Sequence, residues 1–251
     1  SVADGAGSTT VVFRSVSGTV PNAKVNTFSL PIRTTNFPPE AVQPGTTVKL
    51  DTSDARIQDA SLYEGKLWFT LDSACTPPGD TLARSCLRLI QIDTTIPNVV
   101  QDFDVGASGY YYFYPSLTTD IAGNLDVIFG YSSSTVYPSL AVTGQVFNAT
   151  ANTLDPIYVL KSGSASSQFN RYGDYFSAAI DPLAPKRVWV AGEYQATSVW
   201  STYISTVIRN ATISVFTDKG AYASGETVSI TGTISPAIKG EAVLIQVINS
   251  A

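Results

Sequence analysis

The feature that most constrains this chain is a pattern that returns three times. Leu67, Leu125 and Val188 each mark the same point in a unit made of a small-residue strand, a tight turn and a hydrophobic strand with an aromatic near its middle. They lie at spacings of 58 and 63 residues. The first copy reads Ala60-Ser61-Leu62-Tyr63-Glu64-Gly65-Lys66-Leu67-Trp68-Phe69-Thr70. The second runs through Thr119-Asp120-Ile121-Ala122-Gly123-Asn124-Leu125 to Phe129, and the third through Ile180-Asp181-Pro182 to Val188-Trp189-Val190-Ala191. Further strand-like runs follow each copy, at 87–92 and 99–105, at 139–144 and 156–160, and at 202–208. Four strands per roughly 60 residues is the arithmetic of a propeller blade. A sandwich also has short strands, but it would not return the same turn and aromatic. The expected fold is all-β: a partial or small β-propeller of about four blades of four antiparallel strands, with blades near residues 10–50, 51–106, 107–165 and 166–208.

Composition agrees with strands. Thr, Val, Ile, Tyr and Phe are abundant, and branched or aromatic side chains suit a pleated, half-buried surface. Charged residues are 14% of the chain, so 28 Ser and 28 Thr take over the surface role usually played by Lys and Glu. A net charge of −5 without any Lys/Arg cluster argues against a nucleic-acid partner, whose phosphates demand a basic patch. No apolar run reaches the roughly 18 residues of a membrane-spanning helix, so no transmembrane segment is expected. The absence of Met reads as a chain that has been processed or trimmed.

Cys75 and Cys86 flank Pro77-Pro78-Gly79-Asp80, a turn signal between two apolar runs. The pair reads as a disulfide closing a hairpin loop; two free thiols or half a zinc site are the competing readings. With no His and no third Cys, a zinc site would have to draw on carboxylates. A disulfide implies an oxidising compartment, hence an extracellular or cell-surface protein. The sequons at Asn148 and Asn210 fit that setting as glycan acceptors.

After residue 208 the grammar changes to strict alternation, as in Glu226-Thr227-Val228-Ser229-Ile230-Thr231-Gly232-Thr233-Ile234. Residues 209–251 resemble the start of an immunoglobulin-like module of bacterial and archaeal surface proteins, ammonia-oxidising archaea included. At about half of such a module's length the sheet is incomplete. Over residues 50–208, the stretches Tyr114-Pro115-Ser116, Arg171-Tyr172-Gly173-Asp174-Tyr175 and Val188-Trp189-Val190-Ala191-Gly192-Glu193-Tyr194 resemble repeats of sialidase-like propellers. Two departures stand out. Asp120-Ile121-Ala122-Gly123 is one residue too long for that family's Asp-box, and none of the eight Arg falls in a motif matching its catalytic arginines.

Candidate ligand residues come from two places. In Gly109-Tyr110-Tyr111-Tyr112-Phe113-Tyr114, strand periodicity puts Tyr110, Tyr112 and Tyr114 on one face. That row reads either as a platform for sugar rings or as packing between blades. Arg171 and Asp174 precede a blade's first strand, where they either bind a ligand or fix a loop by a charge-assisted bond. Asp59, Asp120, Asp174 and Asp181 occupy related positions at blade starts and are calcium candidates if the fold gathers them. Asp102 and Asp104 read as solvated. Without His there is no Ser-His-Asp or Cys-His catalysis, and no Walker-type phosphate loop occurs. The expected function is a non-catalytic surface or assembly protein that binds a protein partner or self-associates. The alternatives are a glycan-binding or sialidase-like hydrolytic protein, or a piece of a larger secreted enzyme.

Overall fold

The computed structural model describes residues 5–197, 199–209, 212–219, 222–223 and 225–235. It is all-β, and among these residues there is no helix, so none is long and apolar enough to cross a membrane. The chain divides into two compact units, Ser1–Val207 and Ile208–Ala251.

The first unit contains a hairpin and three sheets, each joined in sequence order. The hairpin is β1 (Thr10–Ser17) and β2 (Lys24–Pro31). The first sheet follows with β3 (Asp59–Tyr63), β4 (Lys66–Cys75), β5 (Arg84–Asp93) and β6 (Asn98–Val105). The second holds β7 (Tyr110–Thr119), β8 (Leu125–Ser133), β9 (Ser139–Gln145) and β10 (Tyr158–Lys161). The third has β11 (Ser177–Ile180), β12 (Arg187–Gln195) and β13 (Trp200–Ile208), three strands where four were expected. All recorded pairings are antiparallel. Residues 10–50 also depart from four strands: beyond the hairpin they hold a single bridge, Ala41 to Leu50. Pro31, Pro38, Pro39 and Pro44 punctuate that stretch, and proline cannot donate to a ladder. In the second unit, β14 (Thr212–Thr217) pairs with β15 (Ile230–Ser235). Most of the remaining segment expected to be immunoglobulin-like, residues 236–251, lies outside the described residues.

The sheets of the first unit stack face to face because their strands carry apolar side chains on both sides. One face of the first sheet (Phe69, Leu71, Ile90, Ile92) receives Val11, Phe13 and Leu30 of the hairpin. Its other face (Trp68, Leu87, Leu89, Phe103) meets Tyr112, Leu117, Leu125 and Phe129 of the second sheet. The far face of that sheet presents Ile128 and Leu140 to Val188 and Val190 of the third. Every residue of β8 is buried, as a strand covered on both faces requires. Each fully buried large apolar side chain contributes about 1.5–3 kcal/mol.

The first strands β3, β7 and β11 lie side by side. Leu117 N donates to Asp59 Oδ2 (3.0 Å), Thr119 N to Ser61 Oγ (3.1 Å), and Tyr63 OH to the Ile121 carbonyl (2.5 Å). All three bonds join residues 58 apart, the interval of the sequence repeat. Ala178 N donates to Ser116 Oγ (2.9 Å) and Ile121 N to the Pro185 carbonyl (2.9 Å), bringing in the third sheet.

Residues 32–58 strap across one end of this array. Gln43 exchanges two hydrogen bonds with the Ser167 backbone (2.9 and 2.8 Å), and Asp51 N donates to the Asn170 carbonyl (2.9 Å). Ala41 and Leu50 are buried against Tyr111, Phe113, Tyr114 and Tyr172.

Cys75 and Cys86 form a disulfide between the end of β4 and the start of β5, Cα atoms 5.8 Å apart. Asp102 and Asp104, expected to be solvated, are not. Arg88 is buried and donates through Nε to Asp102 (2.5 Å) and through Nη1 to Asp104 (2.8 Å). Arg33 adds its backbone N on Asp102 (2.7 Å) and its Nη2 on Asp104 (2.7 Å). A buried guanidinium opposite two carboxylates pairs its charge with theirs and holds them in place.

Candidate binding cleft

Where β3 and β11 begin and β7 bends, beneath the strap, they leave a cleft of about 730 Å³. β3 and the residues before it supply Arg56, Ile57, Gln58 and Asp59. The bend in β7 supplies Tyr114 and Ser116, and the loop into β11 supplies Arg171, Asp174, Tyr175 and Phe176. Asp51 and Ser53 come from the strap.

The backbone here is unusual. Three non-glycine residues in the left-handed region converge on this one cleft: Ser53 (φ 62°), Tyr114 (φ 52°) and Asp174 (φ 65°). Such conformations cost on the order of 1–3 kcal/mol each and persist only where the surroundings impose them. At Tyr114 the imposition is visible. The pairing of β7 with β8 shifts between Phe113 and Ser116, and Tyr114 N is turned to donate to Asp72 Oδ2 (3.1 Å).

This bend corrects the expected tyrosine row. Tyr110 and Tyr112 do share a face and pack with Tyr131, at centroid distances of 6.3 and 6.4 Å. Tyr114 crosses to the other side, where it sits with Phe113 and Tyr172. Tyr112 and Tyr114 are buried, so neither offers its ring face as a platform for a sugar. Burial, with Tyr110 and Tyr131 nearby, pushes the Tyr112 hydroxyl up to about 12. Burial, then the Asp51 and Asp72 carboxylates, raises Tyr114 as well.

Arg171 and Asp174 come together as an ion pair, and Tyr114 OH donates to the other Asp174 oxygen (3.3 Å). The charge-assisted loop bond is therefore present, and it stands at the cleft wall. The four calcium candidates are dispersed. Asp59 Oδ2 accepts from Ser116 Oγ (2.6 Å) and Leu117 N. Asp120 closes its own turn by accepting from Ala122 N, Asn124 N and Asn124 Nδ2. Asp181 accepts from Leu183 N, Ala184 N, Arg187 Nε and Trp189 Nε1, and these donors, led by Leu183 N, hold its carboxyl below the usual range. Among the described residues no three His, Cys, Asp or Glu side chains gather as a metal site requires. Asn148 is exposed in a turn, and Asn210 lies outside the described residues.

Two elements of the cleft escaped the sequence reading. One is a hydrogen-bond relay across all three first strands, from Ala178 N to Ser116 Oγ to Asp59 Oδ2. The other is Asp72, in the middle of β4 and completely buried. Its Oδ2 accepts from Gln58 Nε2 (2.6 Å) and Tyr114 N, while Oδ1 has no hydrogen-bond partner. Burial raises its pKa well above the usual carboxylate range, and the Asp54 and Asp51 charges add to this. The signal was a lone carboxylate inside the apolar run Leu67-Trp68-Phe69-Thr70-Leu71-Asp72.

What the cleft presents to solvent is the Tyr175 ring, 90% exposed, with the Arg56 and Arg171 guanidiniums and Ile57 beside it. Its carboxylates are engaged: Asp51 with Ser53 N, Asp59 in the relay, and Asp174 with Arg171. No family model and no curated protein matches this sequence.

Proposed function

We propose that this chain is an extracellular, non-catalytic binding platform: an arc of propeller-type blades whose ligand face is the cleft at the start of β3 and β11 and the bend of β7. The observation that carries this reading is the state of the cleft's carboxylates. A glycoside hydrolase of the two-carboxylate kind needs one carboxyl free to protonate a leaving group and a second free as base or nucleophile. Here Asp51, Asp59 and Asp174 each hold a structural bond, and Asp72, whose pKa burial raises, is sealed beneath the floor. Exposed aromatic, guanidinium and hydroxyl groups remain, and these bind rather than react. The disulfide and the exposed Asn148 sequon support a location outside the cell. The alternating segment after residue 208 supports an immunoglobulin-like module as the second unit.

A carbohydrate is the second reading of the ligand, favoured by the exposed Tyr175 ring next to Arg171 and the cleft hydroxyls. The test is a panel of defined glycans incubated with the protein, with binding read by titration calorimetry and turnover by mass spectrometry. Binding without cleavage, lost in Tyr175→Ala and Arg171→Ala, is the expected result. Cleavage of any glycosidic bond by the wild type overturns the non-catalytic reading. Binding that survives both substitutions removes the cleft as its location.

A further inference from the structure

The stack of sheets in the first unit ends on two faces that no other described sheet of that unit covers. On the third sheet, Val188 and Val190 point toward the second sheet and Trp189 points away. Trp189 pairs with Ala179 as Trp68 pairs with Ser61, one position past the repeat's marker residue in each sheet. The two tryptophans hold the same register in the repeat, and their fates differ. Trp68 is 2% exposed beneath the second sheet, whereas Trp189 is 45% exposed on the last described sheet of the unit. On β13, Tyr203 and Val207 face the core, so alternation turns Trp200 and Ile204 outward, to the side that Trp189 faces, at 61% and 65% exposure. At the other end of the stack, Val11 and Phe13 of the hairpin face the first sheet, while Val12, Val16 and Val25 face outward and are exposed.

These are opposite ends of one repeating contact. Each covered interface joins the far face of one sheet to the near face of the next, so the outward face of the third sheet fits a surface like that of the hairpin. We propose that the occupant is a second copy of this chain, bound head to tail, with the third sheet of each copy seated on the hairpin of the other. Head-to-tail contacts close into a ring when the rotation permits. Each copy contributes four stacked elements, the hairpin and three sheets, so two copies make eight. Propeller rings hold about four to eight blades, so the pair closes within the known range. This rests on the stacked elements being blades, as the platform reading has it.

The test uses the whole chain in sedimentation velocity from nanomolar to high micromolar concentration, with tryptophan emission recorded alongside. A dimer that forms with rising concentration is expected, with a blue shift as Trp189 and Trp200 leave water. Ile204→Glu on one face and Val16→Glu on the other should each give monomers, both positions being exposed so that the fold survives. Mixing these two monomeric variants should restore a dimer through the one interface whose faces are both intact. A wild type that stays monomeric throughout overturns the proposal, and so does a dimer indifferent to either substitution. Ligand binding measured on the same samples separates the two readings. A monomer that binds at the cleft defeats the ring alone, and a dimer that binds nothing defeats the cleft alone.

Discussion

Asp72 shows how much one residue can set. A carboxyl with no exposure and one unpartnered oxygen is far costlier as an anion than as a neutral acid, so folding raises its pKa well above the usual carboxylate range. The unfolded chain releases this group's proton near pH 4. Stability from this group is therefore fully present below the unfolded pKa and is lost as pH rises toward the raised folded value. The slope is at most about 1.4 kcal/mol per pH unit. Asp72→Asn keeps an oxygen for Gln58 Nε2 and Tyr114 N and has no proton to lose. Chemical denaturation of both proteins across pH should show the wild type losing stability relative to Asp72→Asn as pH increases above 4. Parallel curves would mean that Asp72 is not a retained acid. Asp72→Ala strips the acceptor from two buried donors and should cost about 1–3 kcal/mol per donor. This residue was half legible: its place in an apolar run marks it as buried, but its partners come from 14 and 42 residues away and no local pattern names them.

At the scale of elements, the repeat was legible because its cause is local. Small residue, turn and apolar run are decided within about ten positions, and the 58-residue interval reappears as hydrogen bonds between β3 and β7. Tyr114 was misread because periodicity assumes an unbroken strand, and the shift after Phe113 moved it to the opposite face. Asp102 and Asp104 were misread for a different reason. Alternation correctly puts them on one face of β6, but it does not reveal that Arg88 and Arg33 cover that face. Their clamp gives a sharp prediction. Arg88→Ala leaves two carboxylates without their buried cation and should cost about 3–5 kcal/mol, measured as the shift in urea midpoint at unchanged slope. A loss below 1 kcal/mol would mean that solvent reaches the carboxylates freely. The disulfide one turn away acts on the unfolded chain instead. Cys75→Ser with Cys86→Ser should lose about 3 kcal/mol in the loop-entropy picture, and adding reductant to the double variant should change nothing further.

For the whole first unit, stability depends on how closely the sheets approach, and Gly192 sets that distance between the second and third. A Cβ on Gly192 would lie 2.4 Å from Leu140 Cδ1 and 3.2 Å from the Phe176 ring, both on the packed interface. Neither neighbour has room to retreat, since Leu140 is fully buried and Phe176 is held between the cleft aromatics and the same interface. Gly192→Ala therefore wedges the third sheet outward, at about 1–3 kcal/mol for an overpacked core. The lesion should be regional, because the interface of the first and second sheets rests on a separate cluster built from Trp68, Leu87, Leu89, Tyr112 and Phe129. Native-state hydrogen exchange resolves this: amides of β11, β12 and β13 should lose protection while those of β4, β5 and β8 keep theirs. The relay from Ala178 N through Ser116 to Asp59 also ties the third sheet to the others, so Ser116→Ala added to Gly192→Ala should deepen the same regional loss. Equal loss across all three sheets would show instead that the stack opens as one cooperative block, with the cleft at its centre disappearing in the same step.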